Sequence, residues 1–163
     1  MKCIFKTVVF LLLISLDTSA QVPAQTIPQF KFFKLDGSSF TNKNLEANKL
    51  LFFCFFDISC EHCRHAMGKI SLHYEEFNKT AIYLITLDNK EGIKNFMEHY
   101  GQSLPLKKNV TILQDLQNQF ITKFRPVKYP SAFLYSPNKD LMLYDDSDDN
   151  IMKVLKQIKL SAK

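Results

Sequence analysis

Leu50-Leu51-Phe52-Phe53-Cys54-Phe55-Phe56-Asp57-Ile58-Ser59-Cys60-Glu61-His62-Cys63 changes its periodicity halfway along. Its first seven residues form a continuous apolar run. That is too short for most helices and suits a central strand buried on both faces. Beyond Glu61 the apolar positions Ala66, Ile70, Tyr74 and Phe77 recur at spacings of three and four, which predicts an amphipathic helix running to Phe77. Gly68 inside it costs about 1 kcal/mol relative to alanine, so packing must hold this helix in place. The Cys-x-x-Cys pair therefore falls where a buried strand gives way to a helix.

That position determines what the pair can do. Unpaired N–H groups and the dipole at a helix start favour negative charge, and a thiolate is the nucleophile of disulfide exchange. Cys60 is expected to attack, and Cys63, one turn later, to resolve the mixed disulfide. Between them, a cationic His62 would stabilise a Cys60 thiolate and Glu61 would oppose it. Asp57 is expected to end the strand and shape the loop, and Cys54 to be a small core side chain.

Outward from this stretch, Phe30, Phe32, Leu35 and Phe40 flank Asp36-Gly37-Ser38, which predicts an amino-terminal hairpin. Residues 21–27 read as a short polar linker. Downstream, residues 81–87 form a second apolar strand. Residues 92–100 form a second helix, with Gly101 as its carboxy-terminal cap. Strand 110–113 and a short helix over 115–124 follow. Residues 131–135 and 141–144 make a second hairpin around Ser136-Pro137-Asn138. The acidic residues 145–150 are expected to cap a final helix over 151–160. Strands alternating with helices imply an α/β fold, a central mixed sheet flanked by helices, with an amino-terminal β-hairpin extension and helices on both faces.

The amino terminus reads as a cleaved secretory signal over residues 1–20: Lys2 and Lys6, an apolar run from Val8 to Leu16, then Thr18-Ser19-Ala20. The run is about half the ~20 residues that a spanning helix needs, so no stable membrane insertion is expected. The single domain is then 28–163, in the periplasm or otherwise exported. Removing Lys2, Lys6 and Asp17 takes the formal charge from +5 to +4. The basic residues are dispersed, without the concentrated patch of a nucleic-acid binder. Of the four cysteines, Cys3 leaves with the signal. Cys54, Cys60 and Cys63 are too few and too close for a disulfide framework, so Cys60 and Cys63 read as a reactive pair.

A strand ending in Cys-x-x-Cys, a helix and a later proline opening a β-hairpin resemble the thioredoxin fold. The amino-terminal hairpin and the extra helical link resemble its exported TlpA/ResA-like branch, part of the redoxin group. The resemblance spans roughly 28–160. It implies that Pro130 is the cis-proline facing the cysteines and that Tyr129, with Pro130, shapes the substrate-docking surface. It further implies client proteins bearing thiols or disulfides, an upstream redox partner protein and no cofactor. The chain departs from the family in having Ser59 where a tryptophan precedes the motif, and in having no proline inside it. Cys54 stands at the family's buried carboxylate position, which leaves Glu61 or water as proton acceptor. A disulfide oxidase and a copper-handling protein are the alternatives. Zinc is disfavoured because no second ligand pair accompanies Cys60, Cys63 and His65. The chain also lacks the Pro-Thr context of a thiol peroxidase. His65, His73 and His99 read as helix-surface residues.

Overall fold

The computed structural model describes residues 21–161, so the proposed signal segment lies outside the described residues. Seven strands form one mixed sheet: β1 (Lys31–Lys34), β2 (Ser39–Thr41), β3 (Leu50–Phe55), β4 (Thr80–Thr86), β5 (Val110–Gln114), β6 (Ser131–Tyr135) and β7 (Leu141–Asp145). Their order is β2-β1-β5-β4-β3-β6-β7. The pairs β3–β4 and β4–β5 are parallel, and β3–β6, β6–β7, β1–β2 and β1–β5 are antiparallel. The apolar run of β3 thus lies well inside the sheet, with β4 on one side and β6 on the other, as its lack of polar residues requires.

Alternation along β3 divides the core. Phe52, Cys54 and Phe56 face α1 (Glu61–Leu72), α2 (Lys90–Phe96) and α3 (Asn150–Ser161), while Leu51, Phe53 and Phe55 face a cluster rich in aromatic rings. The three α-helices among the described residues therefore cover one face. The second face is covered by one π turn, Phe120–Phe124, and by the amino-terminal segment, so the helical layer expected there is a single turn. Phe120 and Phe124 stack at 4.2 Å between centroids and pack on Phe30, Phe32, Phe55 and Phe133.

Several boundaries differ from the expectations, each for a local reason. The first helix ends at Leu72, and a 3-10 turn over Tyr74–Phe77 brings Phe77 onto Phe52, 5.5 Å between centroids. Helix α2 begins earlier because the Asn89 side chain accepts the Gly92 N–H at 2.9 Å, and it continues as a π turn, Met97–Gly101. Gly101 is not its carboxy-terminal cap; Gln102 is, at positive φ (45°). A Cβ on Gly101 would stand 2.2 Å from Met97 Cε, the mobile end of a flexible side chain. The helix expected over 115–124 shrinks to its last turn because Asp115 is buried, accepting from Phe120 N at 2.7 Å and Gln117 N at 3.2 Å.

Residues 21–27 pack as part of the domain. Ala24 and Ile27 are buried, Ala24 N donates to Phe124 O at 3.0 Å, and Tyr135 Oη donates to Ala24 O at 3.0 Å. Leu141 N reaches Gln25 O at 2.7 Å, which lays the segment along β7. The parts brought together at the carboxy-terminal ends of β3 and β4 are the 57–60 loop, the start of α1 and the 129–130 turn.

Candidate active site

Cys60 occupies the amino-cap position of α1, at φ −77° and ψ 122°, and its side chain makes no capping hydrogen bond. It is half-buried, and its backbone is held from both directions: its N–H donates to Asp57 O and its carbonyl accepts from Arg64 N, each at 3.3 Å. Cys63 is fully buried. Burial pushes its thiol far up; an N–H from Asp57 to its Sγ at 3.5 Å opposes this, and the neighbouring Cys60 and Cys54 thiols add to it. No disulfide joins the three cysteines. The arrangement is one reachable sulfur at a helix start and one recessed sulfur a turn behind it.

Cys54 faces the same layer from β3, fully buried, and burial pushes its thiol up to about 12. It holds its proton at neutral pH and does not replace a carboxylate as a base.

Two acids build the loop before Cys60. Asp57 Oδ1 accepts from Ser59 N at 2.7 Å and Ser59 Oγ at 2.5 Å, the turn role expected of it. Asp88 Oδ2, just beyond β4, accepts from Ile58 N at 3.0 Å and Thr86 Oγ1 at 2.6 Å. Sequence alone does not reveal that second anchor, because Asp88 and Ile58 meet only once β3 and β4 pair.

The Tyr129–Pro130 peptide is cis. The β3–β6 register pairs Phe55 with Ser131 and Cys54 with Ala132, so the turn at 129–130 adjoins the loop that leads into Cys60. The Tyr129 ring packs on Phe55 at 4.9 Å. Burial raises the Tyr129 hydroxyl, and the charges of Asp57 and Asp88 and the thiols of Cys63 and Cys60 raise it further, which brings it into the electrostatic neighbourhood of the cysteines. Asn150, the first residue of α3, is buried and donates from Nδ2 to Pro130 O at 3.1 Å.

Glu61 and His62 are exposed on the first turn of α1. His62 Nδ1 lies 3.0 Å from Asp148 Oδ1, and Lys69 reaches Asp149 Oδ1 at 3.6 Å and Asp148 O at 3.0 Å. The acidic run expected only to cap the last helix thus reaches across to α1. Asp145 instead pairs with Lys153 at 2.6 Å. His73 pairs with Glu76 at 2.7 Å, and His99 Nδ1 lies 2.7 Å from Asn95 O. Among the described residues, no three His, Cys, Asp or Glu side chains are grouped so as to hold a metal ion. Nor does any described helix have the length and apolarity to cross a membrane.

Residues 23–143 match the AhpC/TSA family, and the chain belongs to that family. No curated protein sequence matches it. Among solved structures, DsbF of Mycobacterium tuberculosis, in its mixed oxidized and reduced forms, superposes with a TM-score of 0.68 at 18% identity, covering 85% of this chain and 98% of that one. Peroxidoxin BcpB of the same organism gives 0.69 at 14% identity, covering 85% and 96%. A secreted M. tuberculosis disulfide oxidoreductase homologous to E. coli DsbE gives 0.65 at 16% identity, covering 81% and 96%. The fold is thioredoxin-like, and family membership supports oxidoreductase chemistry in general.

Proposed function

We propose that this protein is an exported thiol–disulfide oxidoreductase that reduces disulfides of client proteins through Cys60 and Cys63. The Cys60 thiolate attacks a client disulfide; a sulfur–sulfur bond forms to Cys60, and one client thiolate leaves and takes up a proton. Cys63 then gives up its proton and attacks Cys60 Sγ, expelling the second client thiolate. The client gains two electrons, the protein is left with a Cys60–Cys63 disulfide, and an upstream redox protein returns the pair to the dithiol. Tyr129 and Pro130 form the surface on which the client chain docks.

The observation that carries this reading is the unequal pair: a half-buried sulfur at the start of a twelve-residue helix and a fully buried sulfur one turn behind it. The reducing direction is supported by the resemblance of the amino-terminal hairpin and the Cys-x-x-Cys stretch to the exported TlpA/ResA-like branch. Export is supported by the charge, apolar run and small-residue exit of residues 1–20.

Cys63→Ser in the exporting cell is expected to accumulate mixed disulfides through Cys60, and Cys60→Ser is expected to accumulate none. Absence of any trapped client refutes the two-step exchange. A reduction potential near about −120 mV, that of a strong oxidant, refutes the reducing direction. Peroxide consumption that survives Cys63→Ser assigns a peroxidase instead. A mature chain that does not begin near Gln21 refutes the signal reading.

A further inference from the structure

The first turn of α1 carries a cation that disulfide exchange leaves unused. Arg64 follows Cys63 directly, its N–H is bonded to Cys60 O at 3.3 Å, and its guanidinium lies over the Tyr100 ring at 5.6 Å from the centroid. Among the described residues no carboxylate comes within ion-pair distance of it, and its Nε is buried without a hydrogen-bond partner. A guanidinium in a partly desolvated place normally has its fork met by an anion.

The guanidinium borders a cavity of about 330 Å³ between the 57–60 loop, α1 and α2. Ile58, Asn95, His99 and Tyr100 line it with Arg64. The Asn95 carbonyl can only accept, so His99 Nδ1 carries a hydrogen and donates to it, leaving Nε2 free. Gly92 joins this wall to the cysteine loop, since a Cβ there would stand 2.6 Å from Ile58 Cδ1. Glu91 and Glu98 line the adjoining cavity, with Lys94 beside them, and neither forms an ion pair with Arg64.

We propose that this cleft is a carboxylate subsite that selects disulfide substrates carrying an acidic group near the sulfur attacked by Cys60. Arg64 supplies the charge and the fork, and Asn95 and Tyr100, which carry N–H and O–H donors, line the cleft beside it. The proposal rests on the reading of Cys60 as nucleophile. A side-chain carboxylate and a chain-terminal carboxylate would be recognised by the same chemistry, and the test separates them.

The reduced protein is mixed with short peptide disulfides that differ only in Glu or Gln placed one to four residues from cysteine, and with a pair ending in a free acid or an amide. The expected preference is about tenfold in second-order rate for the acid form at one or more placements, the scale of a charge-assisted hydrogen bond. Arg64→Gln is expected to bring the acid-to-amide ratio to about one, and Arg64→Lys to keep part of it. A purely structural role for Arg64 would change both rates together and leave the ratio intact. A ratio near one in the wild type at every placement overturns the proposal, as does a ratio that survives Arg64→Gln. If no peptide reacts, the reading of Cys60 falls. The cleft is then read without turnover, by titrating the thiol-free dipeptide acetyl-Gly-Glu-amide and following the His99 imidazole signals by NMR. Saturable shifts lost in Arg64→Gln sustain the subsite, and no shift overturns it.

Discussion

Asn150→Ala tests how the start of α3 holds the cis-proline turn beside the loop that leads into Cys60. Asn150 is 1% exposed and donates from Nδ2 to the carbonyl of buried Pro130 at 3.1 Å. Alanine removes the donor and leaves that carbonyl unmet, which costs about 1–3 kcal/mol. For a domain of this size, each kcal/mol lowers Tm by about 3 °C, so thermal unfolding of the reduced protein should shift down by about 3–9 °C. Asn150→Asp keeps the shape but donates only when protonated. Burial beside a carbonyl holds such a carboxyl above its unfolded value of about 3.9. With the folded pKa raised, the stabilisation is fully present below the unfolded pKa and is lost as pH rises through the folded one. The Asn150→Asp deficit should therefore be small near pH 4 and large near pH 7. An Asn150→Ala protein melting within about 1 °C of wild type, or an Asn150→Asp deficit that does not grow with pH, refutes the reasoning.

Other outcomes follow from the same structure. Cys54→Ala should retain client trapping by Cys63→Ser and lose about 1 kcal/mol in urea unfolding, since Cys54 is a fully buried, protonated core thiol; loss of trapping would show that it takes part in exchange. Asp115→Ala removes two hydrogen bonds from a buried carboxylate and should cost about 2–3 kcal/mol, with amide exchange rising first over 117–124; unchanged protection there would contradict the assigned cap. Burial tends to raise Asp145, but the bonds from Lys153 and Ser147 prevail and hold it low, and Glu76 is held low by Lys159 and His73. Their folded pKa values lie below the unfolded ones, so this stability is present above about pH 4 and lost as pH falls through the folded values. The urea midpoint should drop across that acid range, and Lys153→Met and Lys159→Met should flatten the drop; parallel curves would remove these pairs as the cause.

What could be read along the chain was local. The seven-residue apolar run from Leu50 has no polar side to show to water, so a strand buried on both faces was its consistent solution. The change of period at Glu61 put Cys60 at a helix start, and Asp36-Gly37 and Ser136-Pro137-Asn138 marked turns through backbone preferences of single residues. Errors fell where packing overrode local preference. The cap expected at Gly101 falls on Gln102, Asp115 replaced a helix by a cap, and residues 21–27 were held by Phe124 and Tyr135 from the far end of the chain.

Periodicity reports which side of an element is buried and says nothing of what lies opposite. The partner of His62 is 86 residues away at Asp148, the anchor of Ile58 is Asp88 on the next strand, and the donor to Pro130 is Asn150 at the head of the last helix. Arg64 is an ordinary surface cation in the sequence and becomes an unmatched one only when α2 is laid beside it. The sequence by itself determined the strand, the helix and the two sulfurs between them, because those depend on neighbours within a few residues. Only the tertiary structure decided which charges and donors surround the sulfurs, because sheet order and helix packing bring those groups together across long spans of chain.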